Sequence, residues 1–207
     1  MAAADAARSD VAGLEGALAA VADALRRVTV HVRSRGGQGS GAGVIWSRGG
    51  LLVTTAHVAT GGAPEVVMHD GRSLRSRLTA RDPRRDLALL SLPRDDLVPA
   101  LRIDARGLRA GELLVAVGHP LGVAHAAALG VVHRAPSGEP GPDGWLQADI
   151  RLAPGNSGGP LADAEGRVVG LNAMIVGGLG FAVPTHVIER FLEEVAGGRG
   201  GGGARAA

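Results

Sequence analysis

Between residues 28 and 183 the apolar residues of this chain come in short runs, each cut off by glycine, proline or a small polar residue. The punctuation is dense, with 34 glycines and 11 prolines in 207 residues. Long helices have no room in such a stretch, so it must fold as many short strands joined by turns. The runs are 28–32, 44–46, 51–54, 65–68, 73–78 and 87–92, then 113–117, 126–133, 145–148, 161–162, 167–174 and 181–183. Arg48-Gly49-Gly50 and Asp70-Gly71 sit where hairpin turns are expected. A mixed, charged and proline-bearing stretch at 94–109 separates the two sets and reads as a linker.

The two ends follow a different period. Val11, Leu14, Leu18, Val21, Leu25 and Val28 alternate three and four apart, which predicts an amphipathic helix. It spans under three heptads, so packing on its own body competes with a role in oligomerisation. Val187, Ile188, Phe191, Leu192 and Val195 share a second helical face, expected to end at Gly197-Gly198. The organisation expected is a helix over 1–27, a first β-unit over 28–100, a second with its helix over 101–196, and a disordered Gly/Arg tail over 197–207.

Composition narrows the partners. The core must be aliphatic, because aromatics make up 2% of the chain and tyrosine is absent. All the basic residues are arginine, yet the formal net charge is only +2, which argues weakly for nucleic acid. The Arg/Gly tail is the one segment that keeps that reading open. Without cysteine there is no disulfide, thiol nucleophile or cysteine-based metal site. No metal, cofactor or membrane span is expected. The apolar stretch after Arg8 is broken by Asp10, Glu15 and Asp23, so no export signal is read and a cytoplasmic location is expected, with the cell envelope left open.

One loop carries reactive chemistry. Gly155-Asn156-Ser157-Gly158-Gly159-Pro160 sets a serine among glycines, where backbone N–H groups can turn inward beside a nucleophile. A glycine-rich turn is the plain alternative. A serine hydroxyl needs a base, and the base an orienting partner. Of seven histidines, His57 follows an apolar strand directly, a rigid place from which to present a ring. Asp86 opens Asp86-Leu87-Ala88-Leu89-Leu90, and a carboxylate at the edge of a buried strand needs a donor. Pairing with Arg84 or Arg85 is the alternative for Asp86. Asp149 is a rival close to the serine in sequence.

Six blocks now stand in order: Gly41-Ala42-Gly43-Val44-Ile45, Thr54-Thr55-Ala56-His57-Val58, Asp86-Leu87-Ala88-Leu89-Leu90, Gly118-His119-Pro120-Leu121-Gly122, Pro154-Gly155-Asn156-Ser157-Gly158-Gly159-Pro160-Leu161 and Gly180-Phe181-Ala182-Val183-Pro184. Together they resemble the HtrA/Deg-type trypsin-like serine proteases over about residues 28–195. The resemblance implies an all-β, chymotrypsin-like fold: two six-stranded β-barrels with the site between them, flanked here by an N-terminal and a C-terminal helix. It implies a serine endopeptidase acting on unfolded or misfolded protein, with His57 as base, Asp86 as its orienting acid and Ser157 as nucleophile. The oxyanion hole would use Gly155 and Ser157, with Asn156 held between them. The substrate pocket would draw on Arg151, Leu152, Leu171, Asn172 and Ala173. Leu152 and Leu171 make it apolar, whereas Arg151 pointing inward would select an acidic residue. An outward Arg151 is expected, because a buried unpaired guanidinium is costly. Residues 171–174 could pair with a substrate backbone.

Three departures qualify the resemblance. A glycine tail stands where a PDZ domain is expected, no export signal is read, and the loops are short. The one long loop near the site, 134–144, corresponds to one that helps form the oxyanion hole in the family. Homotrimers are usual in the family, which gives the N-terminal stripe a use. The competing reading is a peptide-binding or chaperone module on a protease scaffold.

Overall fold

The computed structural model describes residues 2–34, 40–60, 63–137 and 141–200, without the side chains of 2–11 and 199–200. The first half of the glycine loop at 36–43, positions 138–140 of the long loop, the side chain of Val11 and the tail beyond residue 200 lie outside those residues.

Helix α1 (Ala2–Val28) leads into β1 (Thr29–Arg33), β2 (Ser40–Ile45), β3 (Leu51–Thr54), β4 (Glu65–Val67), β5 (Ser73–Arg75), β6 (Arg77–Asp82) and β7 (Leu87–Ser91). These strands form one antiparallel sheet in the order β5-β4-β1-β2-β3-β7-β6. Its two outermost strands are neighbours in the chain, joined by Ser76 alone, so the sheet has to roll up until its edges meet. Ser76 is buried at that seam and bonds the Pro64 carbonyl through both its N–H (3.1 Å) and its hydroxyl (2.7 Å). The single run expected at 73–78 is therefore two strands bent at Ser76. The continuation to Asp82 was masked by Arg77, Arg81 and Asp82, whose charges hide a half-buried strand.

The second unit contains β8 (Leu113–Gly118), β9 (Ala126–Arg134), β10 (Leu146–Ile150), β11 (Pro160–Asp163), β12 (Val168–Val176) and β13 (Leu179–Pro184), followed by α2 (Thr185–Gly200). They close into a barrel in the order β10-β13-β12-β11-β8-β9. The architecture is the all-β, chymotrypsin-like pair of barrels with a helix at each end.

One apolar core joins the barrels. Val44, Trp46, Val53 and Leu89 come from the first, Val115, Val117, Val168, Leu171 and Val183 from the second. Leu25 and Val28 of α1 and Ile188 and Phe191 of α2 seal its sides. The helical stripe of α1 thus does its packing in its last turns, while Leu14 stands 50% exposed. Helix α2 does not stop at Gly197-Gly198 but runs on to Gly200. Glycine costs about 1 kcal/mol in a helix without forbidding it. The linker is pinned across this core by Arg102. Its guanidinium lies 4.6 Å over the Trp46 ring, bonds the carbonyls of Trp46 and Ala100 at 3.0 Å each, and reaches Glu189 of α2 at 3.2 Å.

Candidate active site

The site lies where the barrels touch, and backbone contacts between them build it. Ala42 N–H of β2 donates to the Ser157 carbonyl at 2.8 Å. Thr54 Oγ1 donates to the Ala42 carbonyl at 2.6 Å, bracing the same strand from β3. The serine loop then has to pass over this surface without side chains. Gly158 has φ +81°, and a Cβ there would come within 2.2 Å of both the Ala42 carbonyl and Thr54 Oγ1. Gly155 has φ +106°, and its Cβ would meet the His119 carbonyl at 2.2 Å. Only glycine fits either place.

His57 follows β3 and presents a half-exposed ring. Asp86 sits just before β7, in left-handed backbone at φ 52°. Its carbonyl accepts from Ala56 N–H at 3.1 Å, one carboxylate oxygen accepts from His57 N–H at 3.0 Å, and the other lies 2.8 Å from His57 Nδ1. A carboxylate only accepts, so Nδ1 carries the proton and Nε2 keeps a free lone pair. Of the alternative partners of Asp86, Arg84 turns its backbone N–H to Asp82 at 2.9 Å and the Arg85 guanidinium is engaged elsewhere. Arg85 reaches Asp82 at 3.3 Å and Glu194 at 2.8 Å. Asp149 stays on β10 and is exposed.

Ser157 Oγ donates to the Ala173 carbonyl at 3.3 Å, a long bond, and among the described residues no hydrogen bond joins it to His57. The loop N–H groups are partly committed. Asn156 N–H goes to the Ala153 carbonyl at 3.0 Å and Gly158 N–H to the Asn172 carbonyl at 2.7 Å. On the far side, the turn after β8 takes two loop carbonyls: Leu121 N–H holds that of Pro154 at 3.0 Å and His119 N–H that of Gly155 at 3.1 Å. A trans peptide is planar, so a Pro154 carbonyl aimed at Leu121 turns the Gly155 N–H the opposite way.

Beside Ser157 opens a cavity of about 220 Å³ lined by Leu152, Ala153, Pro154, Asn156, Asn172, Ala173, Met174 and Ile175. Arg151 and Leu171 are not among these residues. Arg151 is exposed and borders an adjoining hollow with Pro120, Ala126 and Ala128, which shares Leu152, Ala153 and Asn156 with the cavity. Leu171 is fully buried in the core between the barrels. Asn172 does more than line the cavity. Its backbone N–H and side-chain Nδ2 both bond the Gly159 carbonyl (2.9 and 3.2 Å), and Nδ2 also bonds that of Pro160 at 3.0 Å. This brace was missed from sequence, although one polar residue in the apolar run 168–174 signals a buried partner. The hold of the His119 turn on the serine loop was not read either, because those contacts run through backbone.

A double barrel with a serine loop at its seam defines the trypsin-like class of peptidase folds. A family model for the trypsin-like peptidase domain matches residues 41–171. The chain belongs to that family, as an HtrA/DegP-like serine protease domain. Over 165 residues it is 35% identical to a Pseudomonas fulva protein named "Probable periplasmic serine endoprotease DegP-like", covering 75% of this chain and 34% of the relative. A Hahella chejuensis protein of the same name is 37% identical over 161 residues (72% and 34%), and mouse "Serine protease HTRA4" is 34% identical over 164 (75% and 34%). The chain thus spans about a third of the length of these relatives. The cytoplasmic expectation is corrected by them: the bacterial relatives are named as periplasmic, and an export signal missing from these residues has no bearing on a longer protein. No helix among the described residues is long and apolar enough to cross a membrane.

Proposed function

We propose that this domain is a serine endopeptidase that cleaves unfolded or misfolded protein through His57, Asp86 and Ser157. Ser157 Oγ attacks the scissile carbonyl carbon while its proton passes to His57 Nε2. The carbonyl π electrons move onto oxygen, and the N–H groups of Gly155 and Ser157 receive that oxyanion. Its collapse expels the amine, which takes the proton from His57. Water then attacks the acyl-enzyme carbonyl, giving its proton to His57. Collapse of that second oxyanion expels Ser157 Oγ, which recovers the proton. Asp86 keeps the ring in the required tautomer and stabilises the imidazolium.

The observation that carries this reading is the Leu121–Pro154 hydrogen bond of 3.0 Å. It supports an oxyanion hole preformed in the resting chain, because a flipped peptide would place the Pro154 carbonyl where the oxyanion must sit. The cavity beside Ser157 supports a small or medium aliphatic residue before the scissile bond. The half-exposed Leu14 leaves α1 free to take part in assembly, and the homotrimer proposed for the domain rests on the family resemblance alone.

The test is fluorophosphonate labelling of the wild type and of Ser157→Ala. Labelling of the wild type alone is expected. A wild type that stays unlabelled, even with unfolded protein present, favours the second reading, a peptide-binding or chaperone module. What favours that reading now is the Ser157 hydroxyl, which is turned to the Ala173 carbonyl instead of His57.

A further inference from the structure

The turn that holds the serine loop is itself under strain. Leu121 has φ 51° and His125 φ 54°, left-handed values that are strained for a residue carrying a Cβ. Leu121 is 81% exposed, so its side chain brings little packing to offset this. Such backbone persists only where the surroundings over-determine it. Gly122 N–H to the His119 carbonyl (3.2 Å) and Val123 N–H to that of Pro120 (2.8 Å) close the turn on itself, but they do not fix it to the body.

The fixing comes from an imidazole cluster built by both barrels. The His119 ring is buried and stacks on His31 of β1, with centroids 4.6 Å apart and planes 13° from parallel. His125 meets the His119 ring edge-on at 4.6 Å, and His69 of the first barrel meets His125 at 5.3 Å. His31 is anchored in turn, its Nε2 lying 2.8 Å from Ser40 Oγ of β2. From α1, Arg26 donates to the His125 carbonyl at 3.0 Å.

Building on the proposed endopeptidase, we infer that His119 is a positioning residue. Stacked on His31, it props the serine loop from the first barrel and holds Pro154 and Gly155 in the orientation the oxyanion requires. The ring contributes as a flat surface: His119 Nδ1 and His125 Nε2 are buried without hydrogen-bond partners. A flat stack of imidazoles holds only while uncharged. Among the described residues the charged and titratable groups around it are Arg33 on β1, Arg26 on α1, His69 and His125, with three carboxylates behind them: Glu65 on β4, 3.9 Å from Arg33, Asp23, which pairs with Arg26, and Asp70, beside His69. Burial first, then these neighbours, lowers His31 below its ordinary value and takes His119 to about 3. Proton uptake by the stack sets like charges ring to ring, so acid releases the prop and with it the loop.

His31 touches neither the serine loop nor the cavity, so its substitution tests the prop without touching the chemistry. In folded His31→Ala, kcat on an unfolded-protein substrate should fall about tenfold with KM nearly unchanged, part of the loss from one missing oxyanion donor. Hydrogen exchange at the His119 and Leu121 amides should rise by a similar factor, on the order of tenfold. His31→Phe restores a flat neutral stack without the Ser40 bond, so it should recover both. Its acid decline in rate should be shallower than the wild type's, because residue 31 no longer takes up a proton beside the His119 ring.

Unchanged exchange in His31→Ala overturns the prop. Faster exchange with unchanged kcat reduces His31 and His119 to a structural role and overturns the positioning. Failure of His31→Phe to recover either overturns the stack as the cause. If the wild type itself resists fluorophosphonate, the endopeptidase reading falls, and the exchange measurement still decides the prop.

Discussion

Asp86 grips His57 at two points, its carboxylate accepting from the ring at Nδ1 (2.8 Å) and from the backbone N–H (3.0 Å). The second bond fixes the residue and the first fixes the ring, so neither the position nor the tautomer of His57 is left to chance. Asp86→Asn keeps the shape but can offer Nδ1 a donor in place of an acceptor. Peptidase kcat should fall about 10⁴-fold, by the measured behaviour of such triads, with the unfolding midpoint nearly unchanged. Steady-state kinetics beside urea denaturation check it.

Asn172 braces the serine loop through four hydrogen bonds to Gly158, Gly159 and Pro160. Two are backbone bonds, one through its N–H and one through its carbonyl, and two come from the side chain. Asn172→Leu removes only the side-chain pair: the Gly159 carbonyl keeps its bond from the backbone N–H of residue 172, while the Pro160 carbonyl loses the Nδ2 donor in a dry place. A loss of about 1–3 kcal/mol follows, with a drop in kcat exceeding any change in KM. Denaturant titration and kinetics on an unfolded substrate measure both.

Arg151 is exposed and stands outside the cavity beside Ser157. Arg151→Ala should leave the preference for aliphatic residues before the scissile bond intact, with rates changed less than about threefold, as for other surface substitutions. Cleavage-site mapping by mass spectrometry tests this. A wild-type preference for Asp or Glu that vanishes in the variant would refute the outward placement.

His31, His119 and His125 all have lowered proton affinity in the fold, burial being the first cause in each, and His119 falls from 6.5 to about 3. The unfolded chain then binds more protons than the native one below pH 6.5, so stability rises with pH across that window. The stabilisation is complete above about pH 6.5 and is lost progressively as pH falls towards 3. Asp70 and Asp104, lowered from 3.8 to about 2, act only below about pH 4. Glu112 is lowered too, from 4.5, and acts below about pH 5.5, so urea midpoints between pH 7 and about 5.5 isolate the histidines. His119→Phe should flatten the slope there.

The sequence by itself determined the strands, the two-part division around a linker, and the candidates His57, Asp86 and Ser157. Short apolar runs, turn residues and a serine among glycines are local signals, written in neighbouring positions. It did not reveal that the edges of the first sheet meet at Ser76, since the arginines of β6 disguise that strand. It offered Arg151, expected to face outward, and Leu171 for the pocket: Arg151 is exposed outside the cavity beside Ser157, and packing buried Leu171 in the core. The orientation of the Pro154–Gly155 peptide was decided only in three dimensions. It depends on a hydrogen bond from Leu121, on a turn tied to a distant β1 through two stacked rings, and on backbone groups that every residue shares. Such contacts leave little trace in residue identity, because the backbone donor at Leu121 would be the same with almost any side chain in its place.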